Sequence, residues 1–241
     1  MKSSPIFHNL DDQNRRFETA HPLEILKWVY QHQARIDIGT SLGPAGIVIL
    51  HLVKSLKITP KVFMLDTEFL FPQTLMLKTQ IEDHLNLKIQ TITSSLSVQD
   101  QANLYGSDLW TNNPDLCCTL RKVEPLQSHL LHLDAWINGV RRQQGQQRSQ
   151  TPILSHIQTQ SGHTVLKVSP LATWSRKQVW TYIHKHDLPY NTLHDQGYPS
   201  IGCTHCTQAV HTLESDEQER QGRWGNSIKK ECGIHTFHKG A

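Results

Sequence analysis

The chain has 241 residues, 37% hydrophobic and 19% charged, with a formal net charge of +3. That balance describes a globular protein and excludes a disordered one, and the charge is too small for a dedicated nucleic-acid binder, which would carry a basic stripe. No apolar run approaches the ~20 residues of a membrane span, and residues 1–17 hold no apolar stretch of signal-peptide type, so a reducing cytoplasm is the expected location.

Residues 21–33 place apolar side chains at helical spacing, with Pro22 suited to a first turn. Ile36 to Ile38 then lead into Gly39-Thr40-Ser41-Leu42-Gly43-Pro44-Ala45-Gly46, followed by an apolar stretch long enough for a helix: strand, Gly/Ser-rich turn, helix. Lys61 to Leu65 read as a buried parallel strand ended by Asp66-Thr67. Phe71-Pro72 open a helix over 72–86, and Lys88 to Thr93 form a third strand. Residues 94–115 are polar and mixed, a loop with some helix. Residues 121–133 predict a helix, Ala135 to Val140 a strand, and 141–152 a Gln-rich surface loop bearing three arginines. Thr164 to Val168 form another strand, and Ser175-Arg176-Lys177-Gln178 fits a capping box before a helix. Residues 187–202 are a long Pro/Gly loop.

Strands alternating with helices predict an α/β fold, a mainly parallel sheet with helices on both faces. We expect one domain over residues 1–210 and a flexible charged segment over 211–241. Sheets of this kind bind ligands beyond the carboxyl ends of their strands, at a topological switch point. The turn Ser41–Gly46, the pair Asp66-Thr67 and the loop Gly139–Arg148 all follow predicted strands, so three loops can converge on one ligand.

Five cysteines fall as Cys117-Cys118, Cys203-x-x-Cys206 and a lone Cys232. An odd count excludes full internal pairing and suggests a four-ligand site with one free thiol. Four thiolates suit zinc or an iron–sulfur cluster. The adjacent pair favours a cluster, whose separate iron corners can receive two sulfurs from one backbone segment; buried structural cysteines are the plainer alternative. Lys229 and Lys230 before Cys232 and His235 after it lower a thiol pKa, against Glu231, and the polar setting predicts an exposed, reactive thiol. The Gly39–Gly46 turn can cradle phosphate at a helix start but lacks the Gly-Lys-Ser/Thr ending of a nucleotide-hydrolysing P-loop. Arg141, Arg142, Arg148, Arg220 and Arg223 offer guanidiniums to an anion, with Arg121 and Lys122 adding charge behind the first cysteine pair; a solvated basic surface is the plainer reading of any single one. His184 and His186 suit helix-end caps, and His205 stands beside a metal site rather than on it.

Several motifs resemble the assimilatory sulfonucleotide reductases, and within them the bacterial adenylyl-sulfate type. They are Cys-Cys-x-x-Arg-Lys-Val-Glu-Pro-Leu (117–126), Trp-Ile-x-Gly-x-Arg-Arg (136–142), the run 188–207 ending in Ser-Ile-Gly-Cys-Thr-x-Cys-Thr, Arg-x-Gly-Arg-Trp (220–224) and Glu-Cys-Gly-Ile-His (231–235). The resemblance implies a fold of the PP-loop, adenine nucleotide α-hydrolase-like type. It implies a [4Fe–4S] cluster on Cys117, Cys118, Cys203 and Cys206, and Cys232 as nucleophile. Lys122 is then expected between cluster and substrate, and Arg148, Arg220, Arg223 and His235 on the phosphosulfate, with Arg141 and Arg142 in the same arginine loop. Ser41, Gly43, Asp66 and Thr67 fall in the segments that hold the nucleotide. The implied reaction is reduction of adenylyl sulfate through an S-sulfocysteine, discharged by thioredoxin or a glutaredoxin-like reductant, in sulfate assimilation for cysteine biosynthesis. Homo-oligomers are common in the family. Three departures stand out: Leu65-Asp66-Thr67 is followed by Glu68 where the family usually has glycine, Ser41–Gly46 differs from the common Gly-Ala-Glu-Asp form, and the loop 141–152 is Gln-rich. All bear on nucleotide affinity and on the choice between adenylyl sulfate and its 3′-phosphorylated form; a reductase of the latter, or one of dual specificity, is the alternative. A zinc-stapled RNA-binding or RNA-thiolating protein is the remaining alternative, disfavoured by the small net charge and the missing Ser-Gly-Gly-x-Asp-Ser loop.

Overall fold

The protein is described here from a computed structural model covering residues 10–210, 219–225 and 229–235. Residues 211–218, 226–228 and 236–241 of the expected C-terminal segment lie outside the described residues. Six strands, β1 (Ile36–Gly39), β2 (Lys61–Asp66), β3 (Ile89–Thr93), β4 (Ala135–Ile137), β5 (Leu154–Gln158) and β6 (Thr164–Val168), form one sheet in the order β3-β2-β1-β4-β6-β5. All neighbours pair in parallel except β5 with β6. The sequence reading missed β5. It is an edge strand that buries only Leu154 and Ile157, so no clean alternation marks it.

The helices are α1 (Leu10–Phe17), α2 (Pro22–His32), α3 (Pro44–Ser55), α4 (Pro72–Leu85), α5 (Val98–Tyr105), α6 (Leu109–Asn112), α7 (Pro114–Cys118), α8 (Glu124–Leu130) and α9 (Arg176–Lys185). Proline opens α2, α3, α4 and α7, where its missing N–H is one that a first turn leaves unbonded anyway. The expected capping box is present at α9, with Ser175 Oγ accepting from Gln178 N at 3.1 Å and Gln178 Oε1 from Ser175 N at 2.8 Å. The helix expected over 121–133 is instead a π turn, Thr119–Val123, running into α8. Pro125 explains the break, since it has no N–H to give the Arg121 carbonyl.

Strand alternation divides the core. Ile36, Ile38, Val62 and Met64 face α2, α3, α4 and α9, with Ile47 to Leu50 of α3 fully buried among them. Phe63, Trp136 and Val165 face the other way, onto Leu126 and Leu130 of α8. Helices therefore cover both faces, as expected. Each fully buried aliphatic side chain contributes about 1.5–3 kcal/mol, so the sheet and α3 form the rigid base of the molecule. Among the described residues no helix is long and apolar enough to cross a membrane.

The switch point falls between β1 and β4, whose following loops meet at the start of α3. There Gly139 allows a close backbone approach: a Cβ at that position would lie 3.1 Å from the Gly46 nitrogen and 3.3 Å from the Ala45 carbonyl carbon. Backbone cannot yield as a side chain can. Gly139→Ala is expected to destabilise the protein by about 1–3 kcal/mol in chemical denaturation; an unchanged midpoint would contradict this packing.

Candidate active site

A cavity of about 210 Å³ opens at the carboxyl ends of β1, β2 and β4. Of the residues singled out from sequence, Ser41, Gly43, Thr67, Lys122, Arg148, Arg220, Arg223, Cys232 and His235 line it. Asp66, Arg141 and Arg142 do not. Asp66 shapes its own loop, its Oδ1 accepting from Glu68 N at 2.8 Å. Arg141, 1% exposed, is bound by Glu219 and donates to the Trp174 carbonyl at 3.3 Å. Arg142 grips Glu18 with two bonds of 2.6 and 2.7 Å. The loop 141–152 was expected on the surface, yet Arg141 and Arg148 are buried, because each meets a carboxylate from the C-terminal segment.

The β1 loop is built to present backbone donors. Thr40 N donates to the Phe63 carbonyl at 2.9 Å, and Thr40 Oγ1 accepts from Leu42 N at 2.9 Å. That turn forces Leu42 to φ 57°, and burial of its side chain offsets the strain. Gly43 then caps α3, whose first-turn N–H groups and positive dipole end suit an anion.

Opposite stands the segment bearing Cys232. Glu231 accepts from Arg148 Nε at 2.6 Å and Nη2 at 2.8 Å, and from Arg220 Nη2 at 3.2 Å. Lys229 pairs with Asp115. His235 stacks on Trp136 with ring centroids 5.4 Å apart, and its carbonyl accepts from Lys167 Nζ at 3.2 Å. Residues 220–224 are tied to the C-x-x-C loop, Trp224 N donating to the Cys206 carbonyl and Gln208 N to the Gly222 carbonyl, both at 2.9 Å. These contacts correct the expectation of an exposed thiol. Cys232 is 8% exposed, because the charges around it form ion pairs that fold inward rather than facing solvent. Burial raises its pKa, but Lys122 and Arg220 outweigh that, and the thiol sits below its usual range. Arg220 is itself pushed down to about 10, by burial and by Arg148.

Lys167 was missed from sequence. It looks like an ordinary strand lysine, but on β6 it shares the inward face with Val165, opposite Trp136. Burial and then Arg148 lower it to about 8.

The other four cysteines line a second, smaller cavity with Phe69, Trp110, Arg121, Lys122 and His205. Cys117 and Cys118 end α7; Cys203 caps and Cys206 ends a single turn, Thr204–Cys206. Lys122 and Cys203 line both cavities, so the two sites share a wall. Cys203 Sγ lies 3.2 Å from Thr67 Oγ1. All five thiols are free and buried. Burial pushes Cys117 and Cys118 up to about 11, whereas at Cys203 burial is outweighed by Lys122, the Thr67 hydroxyl and Arg223 together, and the thiol falls below its usual range. The reciprocal effect appears on Lys122: burial disfavours its charge, but the Cys203, Cys232 and Cys118 thiols overcome this and raise its pKa. Trp110 stacks on His205 at 3.9 Å, and Phe69 meets both edge-on, so aromatic rings roof the thiols. Among the described residues no group of three or more His, Cys, Asp or Glu side chains converges on a single metal ion. Four uncrosslinked sulfurs around one apolar cavity fit a group that takes each thiolate at a separate corner.

Removing the main clamp on the C-terminal segment is expected to free its thiol. Arg148→Ala leaves Glu231 with Arg220 alone, so Cys232 is expected to alkylate at least several-fold faster than in the parent protein, measured by peptide mapping. An unchanged rate would contradict the clamp.

Residues 35–209 match the phosphoadenosine phosphosulfate reductase domain family. The chain is 44% identical over 225 residues to the adenosine 5′-phosphosulfate reductase of Salinibacter ruber, covering 92% of this chain and 87% of that protein. It is 38% identical over 229 residues to the enzyme of that name from Halalkalibacterium halodurans, covering 94% and 96%. Among solved structures, the phosphoadenylyl-sulfate reductase of Candida auris, in a phosphate complex, superposes with a TM-score of 0.70 at 30% identity, covering 83% of this chain and 96% of that one. The FMN adenylyltransferase of Candida glabrata shares the fold alone, at TM-score 0.59 and 14% identity over 94% of this chain and 79% of that one. On the match over 35–209 and the identity to its relatives, the chain belongs to the phosphoadenosine phosphosulfate reductase domain family.

Proposed function

We propose that this sulfonucleotide reductase reduces adenylyl sulfate to sulfite and AMP, in cytoplasmic sulfate assimilation. The observation that carries the reading is the placing of the Cys232 thiol in one cavity with Lys122, Arg148, Arg220, Arg223 and the start of α3. In the first step the Cys232 thiolate attacks the sulfur of the sulfate group. An Sγ–S bond forms, the bond from sulfur to the bridging oxygen breaks, and AMP leaves with that electron pair. Cationic side chains fixed at the cavity wall stabilise the growing charge on the phosphate, as electrostatic catalysis requires. The product is an enzyme S-sulfocysteine, a covalent intermediate. In the second step a thiolate of a reduced dithiol protein, thioredoxin or a glutaredoxin-like one, attacks Cys232 Sγ. Sulfite leaves with the sulfur–sulfur electron pair, and the second thiol resolves the mixed disulfide. This step requires the segment 229–235 to leave its closed position.

The four remaining cysteines suit a [4Fe–4S] cluster, which when bound supplies a fixed electrostatic field at the shared wall. Lys122 lines both cavities, and on this reading it interacts with both the thiolates and the substrate. The electron pair itself comes from the dithiol.

The charge pattern favours adenylyl sulfate over its 3′-phosphorylated form. The extra phosphate needs further cations, yet neither Arg141 nor Arg142 lines the cavity, and they are engaged by Glu219 and Glu18. The test is Cys232→Ser, expected to bind adenylyl sulfate within a few-fold of the parent while turnover with reduced thioredoxin falls by roughly three orders of magnitude or more. Retained turnover would overturn the assignment of the nucleophile; faster turnover of the 3′-phosphorylated substrate by the parent enzyme would overturn the choice of nucleotide.

A further inference from the structure

Glu68 sits at φ 60°, in the left-handed region that glycine adopts freely and that costs a side-chain-bearing residue roughly 1 kcal/mol or more. Its carboxylate does what glycine cannot: it accepts from Arg121 Nη1. Arg121 is 1% exposed. Its Nε donates to Gln101 Oε1 at 2.7 Å, and its Cζ lies 5.5 Å from the Phe69 ring centroid. The guanidinium is thus held at two nitrogens and against an aromatic ring. The third nitrogen, Nη2, is buried with no hydrogen-bond partner among the described residues, and Arg121 lines the cavity of Cys117, Cys118, Cys203 and Cys206. A buried N–H left unpaired costs about 1–3 kcal/mol, and an anionic sulfur-rich group in that cavity is an acceptor for it.

We propose that Glu68 is a positioning residue for the group held by the four thiols: it fixes Arg121 so that Nη2 faces that group, and its carboxylate offsets part of the guanidinium charge, lowering the group's reduction potential. The proposal rests on the cluster reading above. Three features support it. The ion pair joins a buried cation to a partly exposed anion, with Glu68 42% exposed, so the cation's field acts inside the protein while the anion's is partly screened. A backbone strain persists at this site, as strains do where a side chain has a function. And the same guanidinium, on a residue that lines the thiol cavity, has one donor group left over.

The test is the midpoint potential of the anaerobically purified holoenzyme, followed by electron paramagnetic resonance, for the parent and for Glu68→Gln, Glu68→Gly and Arg121→Gln. Both Glu68 variants are expected to raise the potential by on the order of tenfold in the reduction equilibrium, about 59 mV for one electron. Arg121→Gln is expected to lower it. Glu68→Gln keeps an acceptor for Nη1, so a purely structural role would leave its potential at the parent value; Glu68→Gly takes the same φ without strain, which protects the fold. Unchanged potentials in both Glu68 variants, or shifts of one sign for Glu68 and Arg121 variants alike, would overturn the proposal. Iron and acid-labile sulfide measured on the same preparations separate the two failures: a parent protein without iron removes the cluster reading and the proposal together, whereas full iron with unmoved potentials removes the proposal alone.

Discussion

Arg121, Arg141, Arg148 and Arg223 are all less than one-tenth exposed, and a guanidinium cannot shed its proton to escape burial. Each must be matched where it stands, because an isolated buried charge costs far more than any single packing contact returns. Glu68 matches Arg121, Glu219 matches Arg141 and Glu231 matches Arg148. Arg223 instead leans on the Trp224 ring at 4.7 Å and donates to the Cys206 carbonyl at 3.4 Å. Two of the three carboxylates come from the C-terminal segment. That segment is therefore part of how the α/β domain tolerates its own arginines, and closing it over the cavity delivers Cys232 to the same place.

This arrangement ties affinity for an anion to access to the thiol. Arg148 and Arg220, two of the cations lining the cavity and on the proposed reading partners of the phosphosulfate, hold Glu231 in the closed form. Whatever loosens Glu231 also loosens the residue next to it, which is Cys232. A reaction needing the thiol first enclosed with substrate and later exposed to a protein dithiol fits a segment held by a few exchangeable ion pairs rather than by a hydrophobic core. The shared wall of Lys122 and Cys203 joins the second cavity to the first, so charge placed among the four thiols is felt at Cys232.

The alternation of strands and helices was legible because buried parallel strands such as Lys61–Asp66 are continuous apolar runs and Pro-led helices announce their starts. The strand Leu154–Gln158 was not, since an edge strand needs only two inward side chains. The cysteine pairs and strand-end loops pointed to the site by spacing and position. The burial of Cys232, Arg141 and Arg148 did not, because a charged segment in sequence reads as solvated until its partners are known, and those partners lie more than seventy residues away: Glu219 for Arg141 and Glu231 for Arg148. Lys167 was hidden for a related reason, as its inward face depends on strand register with Trp136.

The central claim is that Cys232, enclosed by these cations, is the atom to which the sulfur is transferred. The most direct measurement is intact-mass and peptide mapping of anaerobic protein mixed with adenylyl sulfate in the absence of any reductant. The account predicts one sulfonate added to the peptide bearing Cys232, formed together with one equivalent of AMP and released as sulfite when reduced thioredoxin is added. Release of AMP and sulfite with the Cys232 peptide unmodified, or a sulfonate on another cysteine, would contradict it.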